Sequence, residues 1–383
     1  MQPLTELART CFTKRKAEIK GEGHKGLLFE RFYDGYDHDF KVDPQADSQQ
    51  LNELVGPSGD DEDIKEAARR RIQMVSALGG EFAVFATDWH FVTGMGNSHP
   101  AENGFSWHPV LGAPYLPGAG VKGLLRAWME TCVYDEGEGH EKRERLDEWF
   151  GRNAGSNGKA DSGKAGDLVF FDAIPVERPI VAVDIMTPHM GKWYEQGGET
   201  FAEDSIPGDW HNPVPVSFLV TSDARFLFSI APRTPTAAHW VKDAFEHLSQ
   251  ALAWLGAGAK TASGYGHMTL DEEDTLKRQK SAQAKLEQAN EESRLASMTP
   301  GQRDLAAIEH YLARDQVANR CEPGGNCKRM LREAVEGAGV WSLDERQALA
   351  DLAVQVLSHH DGQKWKKKDK PKALYRKIRE LID

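Results

Sequence analysis

Cysteine is scarce in this chain: Cys11, Cys132, Cys321 and Cys327 are the four in 383 residues. This number is too small for a disulfide scaffold at such a length. Cys321 and Cys327 have five residues between them, whereas zinc ligands that are close in sequence are typically separated by about two to four. We therefore expect four plain thiols, no metal site and no cofactor.

Long apolar runs and an excess of positive charge are missing as well. No stretch of about eighteen uninterrupted apolar residues occurs, and residues 1–20 hold no apolar run that resembles a signal sequence. We therefore predict a cytoplasmic protein without a membrane contact. The chain has 59 acidic and 47 basic residues and a net charge of −12, so any contact with nucleic acid must be local.

The sequence from residue 81 to residue 270 alternates between strand and helix patterns. Residues 81–93 predict a first core strand, and residues 114–129 a strand, a loop and a helix. LVFFDAIPV and PIVAVDIMTP predict a pair of strands, and VPVSFLVTSDARFLFSIAP predicts a hairpin that turns at Ser222 and Asp223. An amphipathic helix over 235–255 and a Gly-rich loop over 256–270 lead into a last strand.

This order of elements, β-α-β-β and then β-β-α-β, predicts an α+β fold. We expect a ferredoxin-like (RRM-like) core, modified or duplicated, with helices on one face of an antiparallel sheet. Residues 1–80 form an N-terminal leader with a helical pattern over 64–78, and 81–270 form the core. Residues 271–297 predict a charged helical linker and 298–383 an all-helical C-terminal domain. The charged, Gly-rich residues 135–166 predict a mobile surface excursion.

Two motifs carry a family resemblance. LGAPYLPGAGVKGLLR (111–126) and WLGAGAKTASGYG (254–266) resemble two signatures of the RAMP superfamily, a Pro-Gly-Ser-Ser-Leu-Lys-Gly turn-helix and a C-terminal Gly-rich loop. Between them, IVAVDIMTPHMGKWYE and PGDWHNPVPVSFLV resemble the sixth-subunit family of type III-B CRISPR-Cas (Cmr) effector complexes. The resemblance covers roughly residues 25–270. Ala119 and Gly120 replace the usual serines, which removes hydroxyl contacts but leaves the turn backbone possible.

The Gly-rich loop is the first candidate for binding RNA. Glycines permit a close approach of the backbone and positive φ angles, and backbone amides with Lys260 and Thr261 can meet phosphates; the glycines are Gly256, Gly258, Gly264 and Gly266. Tyr265 could stack on a base. Alternatively, the glycines only end a helix and turn the chain into a strand. A P-loop is a weaker interpretation, since no Gly directly precedes Lys260 and the loop follows a helix.

Further candidates lie outside that loop. Lys122 and Arg126 share one face at the start of a helix, which suits an RNA backbone or a solvated helix face. The insertion after residue 187 mixes aromatic and charged residues, including His189, Lys192 and Trp193. The resemblance implies that residues 187–213 form a thumb that interrupts a guide–target duplex; a self-packed loop is the alternative. Residues 364–379 hold nine basic residues against one acidic and predict a positive surface or a solvated helix end.

Catalytic interpretations are weaker. Asp88 and His90 would share one face of the first strand as an acid–base or a structural pair. His99 and His108 flank a Gly-rich loop without a metal-site pattern, and the run Asp34, Asp37 and Asp39 lacks the spacing of a calcium loop. RAMP subunits that cleave target RNA use an Asp before the Pro-Gly turn, and residues 94–113 contain none.

The resemblance therefore implies a non-catalytic, RNA-binding structural subunit of a Cmr ribonucleoprotein. It would hold the 3′ side of the guide RNA and the guide–target duplex in antiviral defence, beside other backbone and capping subunits. One alternative is a metal-independent endoribonuclease that acts through His90, His99 or His108. Another is an assembly adaptor that binds neighbouring proteins and makes little contact with RNA.

Overall fold

The structure is a computed structural model that describes residues 24–33, 35–36, 39, 41–42, 44–134, 139–152, 163–196, 206, 210–318, 326–362 and 364–382. It has two compact units, Met1–Leu286 and Glu287–Asp383. Cys11, Asp34, Asp37, Cys321 and parts of the predicted 135–166 excursion lie outside the described residues. In the part of the chain that is described, no helix has the length and apolar character needed to cross a membrane.

The first unit mixes helices and strands. Its helices are α1 (Lys25–Glu30), α2 (Pro44–Glu53), α3 (Asp61–Ala77), α4 (Gly118–Trp128), α5 (Gly139–Phe150), α6 (Gly191–Gln196) and α7 (Ala238–Trp254). Its strands are β1 (Gly56–Pro57), β2 (Glu81–Thr87), β3 (Gly151–Arg152), β4 (Lys164–Ala165), β5 (Leu168–Phe170), β6 (Ile174–Pro175), β7 (Ile180–Met186), β8 (Val216–Ser222), β9 (Arg225–Pro232) and β10 (Met268–Leu270). Helix α8 (Glu272–Ser297) follows, as predicted for the charged segment.

The main sheet is antiparallel, with the order β10-β2-β9-β5 and with β6 also paired to β9. Phe85 and Phe228 pack on one face of this sheet with buried side chains of α4 and α7. On the other face, Phe82 and Val84 pack against the buried side of α3. The prediction that helices cover one face is therefore wrong, because α3 brings its own apolar stripe to the second face.

A second sheet has the order β1-β7-β8, in which Ile180 to Met186 pair with Ser222 to Val216. The chain does turn at Ser222 and Asp223, but β8 joins β7 whereas β9 joins β2. The predicted β8–β9 hairpin is therefore wrong. The predicted pair formed by LVFFDAIPV and PIVAVDIMTP is also wrong, because β5 and β6 pair with β9. Alternation identifies a strand and its faces, but it does not identify the neighbour. The insertion at 187–215 is consequently the connection between β7 and β8.

The second unit is helical, as predicted: α9 (Pro300–Val317), α10 (Asn326–Gly337), α11 (Leu343–Asp361) and α12 (Asp369–Glu380). Capping boxes at Thr299 and Ser342 begin α9 and α11, since each side chain bonds an otherwise unpaired amide. Ile308 and Leu331 belong to the shared apolar core. Within the basic segment, Trp365 is buried and donates to Ser358 Oγ, so this ring supports the fold.

A buried lysine closes the C-terminal end of α2. Lys25 is 4% exposed, and its Nζ donates to the carbonyl oxygens of Leu54 (2.9 Å) and Val55 (3.0 Å). Burial, helped by the nearby positive charge of Arg178, lowers the pKa of Lys25 to about 8. The unfolded chain therefore binds more protons than the folded one between this pKa and the ordinary value of 10.5.

We predict that Lys25→Met removes a pH dependence of stability. Since the folded pKa is lowered, the free energy of unfolding of the wild type should rise by about 2 kcal/mol from pH 8 to pH 10 through this residue. Urea unfolding of wild type and variant at both pH values measures the difference. The exposed Lys277→Met is the control, and an equal pH response of all three proteins would contradict the assignment.

Candidate nucleic-acid interface

The Gly-rich loop between α7 and β10 is held in left-handed conformations. Gly256, Gly258, Gly264 and Gly266 have φ between 75° and 89°, and Lys260 has φ 59°. A Cβ on Gly258 would lie 2.0 Å from the carbonyl oxygen of Val92. A Cβ on Gly266 would lie 1.9 Å from that of Ala257, whereas one on Gly264 would meet nothing within 4 Å. Two of the glycines are thus required by packing within the protein itself.

Several amides of this loop are already bonded inside the fold. Ala257 donates to Gly266, Ala259 donates to Val92, and Gly266 donates to His90, each at 2.8 Å. The loop therefore has an inner part that braces the core and an exposed tip at residues 262–264. Phosphate binding by the loop stays a prediction. The candidate residues for it are now those of the exposed tip and Lys260.

We predict that Gly258→Ala and Gly264→Ala differ in their effect on stability. Both place an L-residue at positive φ, at a cost of about 1–2 kcal/mol, but only Gly258→Ala also drives a methyl group into the Val92 carbonyl. The free energy of unfolding should fall by more than about 3 kcal/mol for Gly258→Ala. Urea titration of both variants tests this, and equal losses would contradict the packing role of Gly258.

A cluster of polar and aromatic side chains surrounds Asp184 on β7; we call Trp89, His90, Asp184 and Tyr265 the Asp184 cluster. The Tyr265 hydroxyl donates to Asp184 Oδ2 at 2.7 Å, and His90 Nδ1 lies 3.3 Å from the same oxygen. Trp89 stacks on His90 with ring centroids 4.5 Å apart, and its side chain is 51% exposed. This arrangement fixes one exposed indole over an anchored imidazole.

The predicted pairing of Asp88 with His90 is not formed. Strand β2 ends at Thr87, so these residues do not alternate along a strand. Asp88 Oδ1 accepts a hydrogen bond from Thr269 Oγ1 at 2.6 Å, and His90 faces Asp184 instead. The break in β2 after residue 87 therefore separates two side chains that a continuous strand would have placed together.

The hydrogen bond between Tyr265 and Asp184 is accompanied by shifts in the pKa of both groups. Burial raises the pKa of Asp184, but hydrogen bonds from Tyr265, the Ile185 amide and His90 outweigh it, so the pKa falls below its ordinary value. Burial and the Asp184 carboxylate raise the pKa of Tyr265 to about 12. Near neutral pH the carboxylate is ionised and the phenol keeps its proton.

The Lys260 side chain packs near Tyr265 of the Asp184 cluster and near Phe218 and Met186. Its Nζ is 5.3 Å from the ring centre of Phe218, 5.9 Å from that of Tyr265 and 3.7 Å from Met186 Sδ. Tyr265 is 7% exposed, which works against the predicted stacking of a base on its ring. The better candidate is Trp89, which the sequence reasoning did not select although it stands at the end of the first strand pattern.

Lys122 and Arg126 belong to a separate group on α4. Lys122 Nζ donates to the Phe150 carbonyl at 2.6 Å, and Arg126 Nε donates to Glu130 at 2.8 Å. The first amide of the helix, that of Gly118, donates to Asp172 Oδ1 at 2.7 Å. This carboxylate already meets the positive end of α4, so an anion would reach the two cations along the side of the helix.

These two cations line a polar cavity of about 430 Å³, which we call the basic cavity. Among the described residues its lining includes five cationic side chains and one carboxylate: Lys122, Arg126, Arg152, Lys164, Arg233 and Asp147. Burial and the neighbouring charges of Arg126 and Arg233 lower the pKa of Lys122. The sequence reasoning missed Arg152, Lys164 and Arg233, since they come from three separate segments without a shared pattern.

Comparisons with known proteins agree with this organisation. The RAMP superfamily model matches residues 83–269, the segment that contains both sheets' long strands, α4 and the Gly-rich loop. This segment is similar to the RAMP superfamily. The CRISPR system Cmr subunit Cmr6 of Pyrococcus furiosus is 29% identical over 241 residues, which is 51% of this chain and 69% of that protein. The predicted resemblance is thereby confirmed.

Two solved structures are similar to the chain. The crystal structure of Cmr6 from Pyrococcus furiosus is 25% identical and covers 50% of this chain and 97% of its own, with a TM-score of 0.30. The cryo-EM structure of the type III-B Cmr-beta bound to cognate target RNA is 16% identical and covers 70% and 89%, with a TM-score of 0.44. The resemblance to the RAMP superfamily rests on the sequence matches.

Two histidines of the first unit, His99 and His108, make hydrogen bonds within its loops. His99 Nε2 lies 2.8 Å from the Phe29 carbonyl oxygen, and its Nδ1 accepts the amide of Ala101 at 3.0 Å. His108 Nδ1 accepts the amides of Val110 and Leu111. Burial lowers the pKa of both imidazoles, which favours the neutral form in these structural contacts.

The predicted thumb lies only partly within the described residues. Helix α6 carries Trp193, whose ring centre is 5.1 Å from that of the exposed Tyr194. His189 and Trp210 are also exposed. The Lys192 side chain and residues 197–205 and 207–209 lie outside the described part. The thumb role of residues 187–213 therefore stays a prediction.

Proposed function

We propose that this chain is a non-catalytic, RNA-binding structural subunit of a type III-B (Cmr) ribonucleoprotein. In this role it holds the 3′ side of the guide RNA and the guide–target duplex in antiviral defence, in the cytoplasm, beside other Cmr subunits. Its resemblance to the RAMP superfamily and its similarity to Cmr6 of Pyrococcus furiosus support the complex. The proposal includes a modified ferredoxin-like core as the frame of the RNA site.

The observation that carries RNA binding is the basic cavity. A chain with a net charge of −12 has no general attraction for a polyanion. Five cationic side chains nevertheless meet at one cavity among the described residues, with Asp147 as the acidic one. Their mutual repulsion is relieved when an anion enters, because each phosphate oxygen accepts charge-assisted hydrogen bonds. RNA phosphates supply such anions at regular spacing.

The Asp184 cluster adds a surface for bases. Trp89 is about half exposed, and one face of its ring stacks on His90. Lys260 and the exposed tip of the Gly-rich loop belong to the same region, since Tyr265 contacts both Trp89 and Lys260. An indole face next to a cation is suited to an unpaired base and its phosphate.

We predict that Lys122→Ala/Arg126→Ala weakens binding of a guide-length RNA by at least about tenfold near physiological salt. The slope of log affinity against log salt should also decrease, by about 1.4 for two lost phosphate contacts. Lys277→Ala/Lys280→Ala removes two exposed cations of α8 and is the control. Equal affinities for both double variants would remove the basic cavity from the RNA site.

The same experiment separates the alternatives. RNA scission that persists in EDTA would favour the endoribonuclease, and its loss with His90→Gln would identify the residue. Absence of RNA binding by wild type, with salt-insensitive association with other Cmr subunits, would favour the assembly adaptor. Binding without scission supports the proposal.

We predict that Trp89→Leu weakens RNA binding by about 1–3 kcal/mol, the contribution of one stacked base. Trp254→Leu is a matched control, because Trp254 is a 74% exposed tryptophan at the end of α7, outside the Asp184 cluster. Fluorescence titration with single-stranded RNA measures both variants. A salt slope unchanged by Trp89→Leu distinguishes stacking from phosphate contact, and equal affinities of the two variants would exclude Trp89.

A further inference from the structure

Three side chains that commonly bind transition metals converge in the helical second unit. They are Asp315 near the end of α9, Cys327 in α10 and His360 in α11. A carboxylate oxygen, the thiol sulfur and an imidazole nitrogen all lie within 4.8 Å of one another. The three residues come from three different helices, so the cluster has no local sequence signature.

The imidazole of His360 is buried without a hydrogen bond. The residue is 8% exposed, and neither Nδ1 nor Nε2 has a hydrogen-bond partner. Nε2 lies 3.2 Å from Asp315 Oδ2, so the two atoms are close but are not aligned as donor and acceptor. A buried polar group without a hydrogen bond destabilises the fold. Two ligands aimed at one ion lie close together in this way without bonding to each other.

We propose that Asp315, Cys327 and His360 bind one Zn²⁺ ion. Thiolate, imidazole and carboxylate are the donors that zinc takes, at about 2.0–2.3 Å. Ligand atoms of a tetrahedral zinc ion lie roughly 3.3–3.8 Å apart, and the three ligand atoms of this cluster already lie within 4.8 Å of one another. The fourth position is then taken by water or another ligand. Cys321 lies outside the described residues.

Charge balance favours a metal at this position. Zn²⁺ with one thiolate, one carboxylate and a neutral imidazole has no net charge, so the filled site can be buried at low cost. The adjacent residues Lys328 and Asp361 form their own buried ion pair at 2.7 Å. Because this pair is neutral overall, Lys328 does not require Asp315 as its counter-ion. The ion would join α9, α10 and α11, which share one apolar core.

The test uses the full chain, purified without chelator, and Co²⁺ as a spectroscopic probe. We expect inductively coupled plasma mass spectrometry to find about one zinc ion per chain. After exchange into Co²⁺, a thiolate-to-cobalt charge-transfer band in the near ultraviolet should appear. Cys327→Ser should abolish this band, and Cys132→Ser, which changes an exposed thiol, should keep it. Loss of the band in Cys132→Ser alone would overturn the assignment.

A second variant and a stability measurement cover the case in which Cys327→Ser unfolds. Asp315→Asn preserves volume and should lower Co²⁺ affinity by at least about tenfold, the loss typical of changing even a residue that only supports a ligand. Zinc should also raise the melting temperature of the metal-free wild type. A folded wild type that shows neither the cobalt band nor a zinc-dependent melting shift would mean that His360 and Asp315 form an ordinary ion pair, and the proposal would fail.

Discussion

The pairing of β9 with its neighbours is the interaction on which the first unit depends. β9 is bonded to β2 along one edge and to β5 and β6 along the other, and its residues from Phe226 to Pro232 are all buried. A strand so deeply buried must bond its amides and carbonyls to other strands, since water cannot reach them. Its side chains then set two apolar faces, one covered by α4 and α7 and the other by α3.

Both candidate RNA surfaces follow from this frame. Arg233 comes directly after β9, where its Nε donates to Gly166 at 2.7 Å and brings a cation to the basic cavity. On the other side of β2, β10 holds the end of the Gly-rich loop, and the bridge between Phe91 and Thr221 connects this region to β8. The cations and the exposed indole are therefore positioned by backbone pairing, and the overall negative charge has no influence on where they lie.

Sequence patterns predicted elements better than they predicted neighbours. The apolar spacing of α3 and α7 and the charged run of α8 identified these helices, because such periodicity is local. The partners of β5, β7 and β8 are set by contacts between distant segments, which alternation does not encode. Lys122 and Lys260 were selected from motifs with a family resemblance. Arg152 and Arg233 were missed because only the folded chain brings them together.

The Gly-rich loop shows why one motif supported two interpretations. Its glycines do turn a helix into a strand, as Gly258 and Gly266 pack against backbone carbonyls. Gly264 has open space around it, so the same loop also leaves a tip that a ligand can approach. The glycines that packing requires are therefore different from the glycine at the exposed tip.

The pKa values of Asp184 and Tyr265 are both shifted away from neutrality. A general acid or base works best when its pKa lies near the working pH. Here burial and the shared hydrogen bond raise the pKa of Tyr265 to about 12, while the hydrogen bonds that Asp184 accepts outweigh its burial and lower its pKa. Proton transfer from Tyr265 to Asp184 is thus unfavourable near neutrality. The hydrogen bond between them connects β7 to the Gly-rich loop. Asp184 also lies 3.3 Å from His90 Nδ1, and Trp89 stacks on His90, so this hydrogen bond helps to fix the position of the exposed indole.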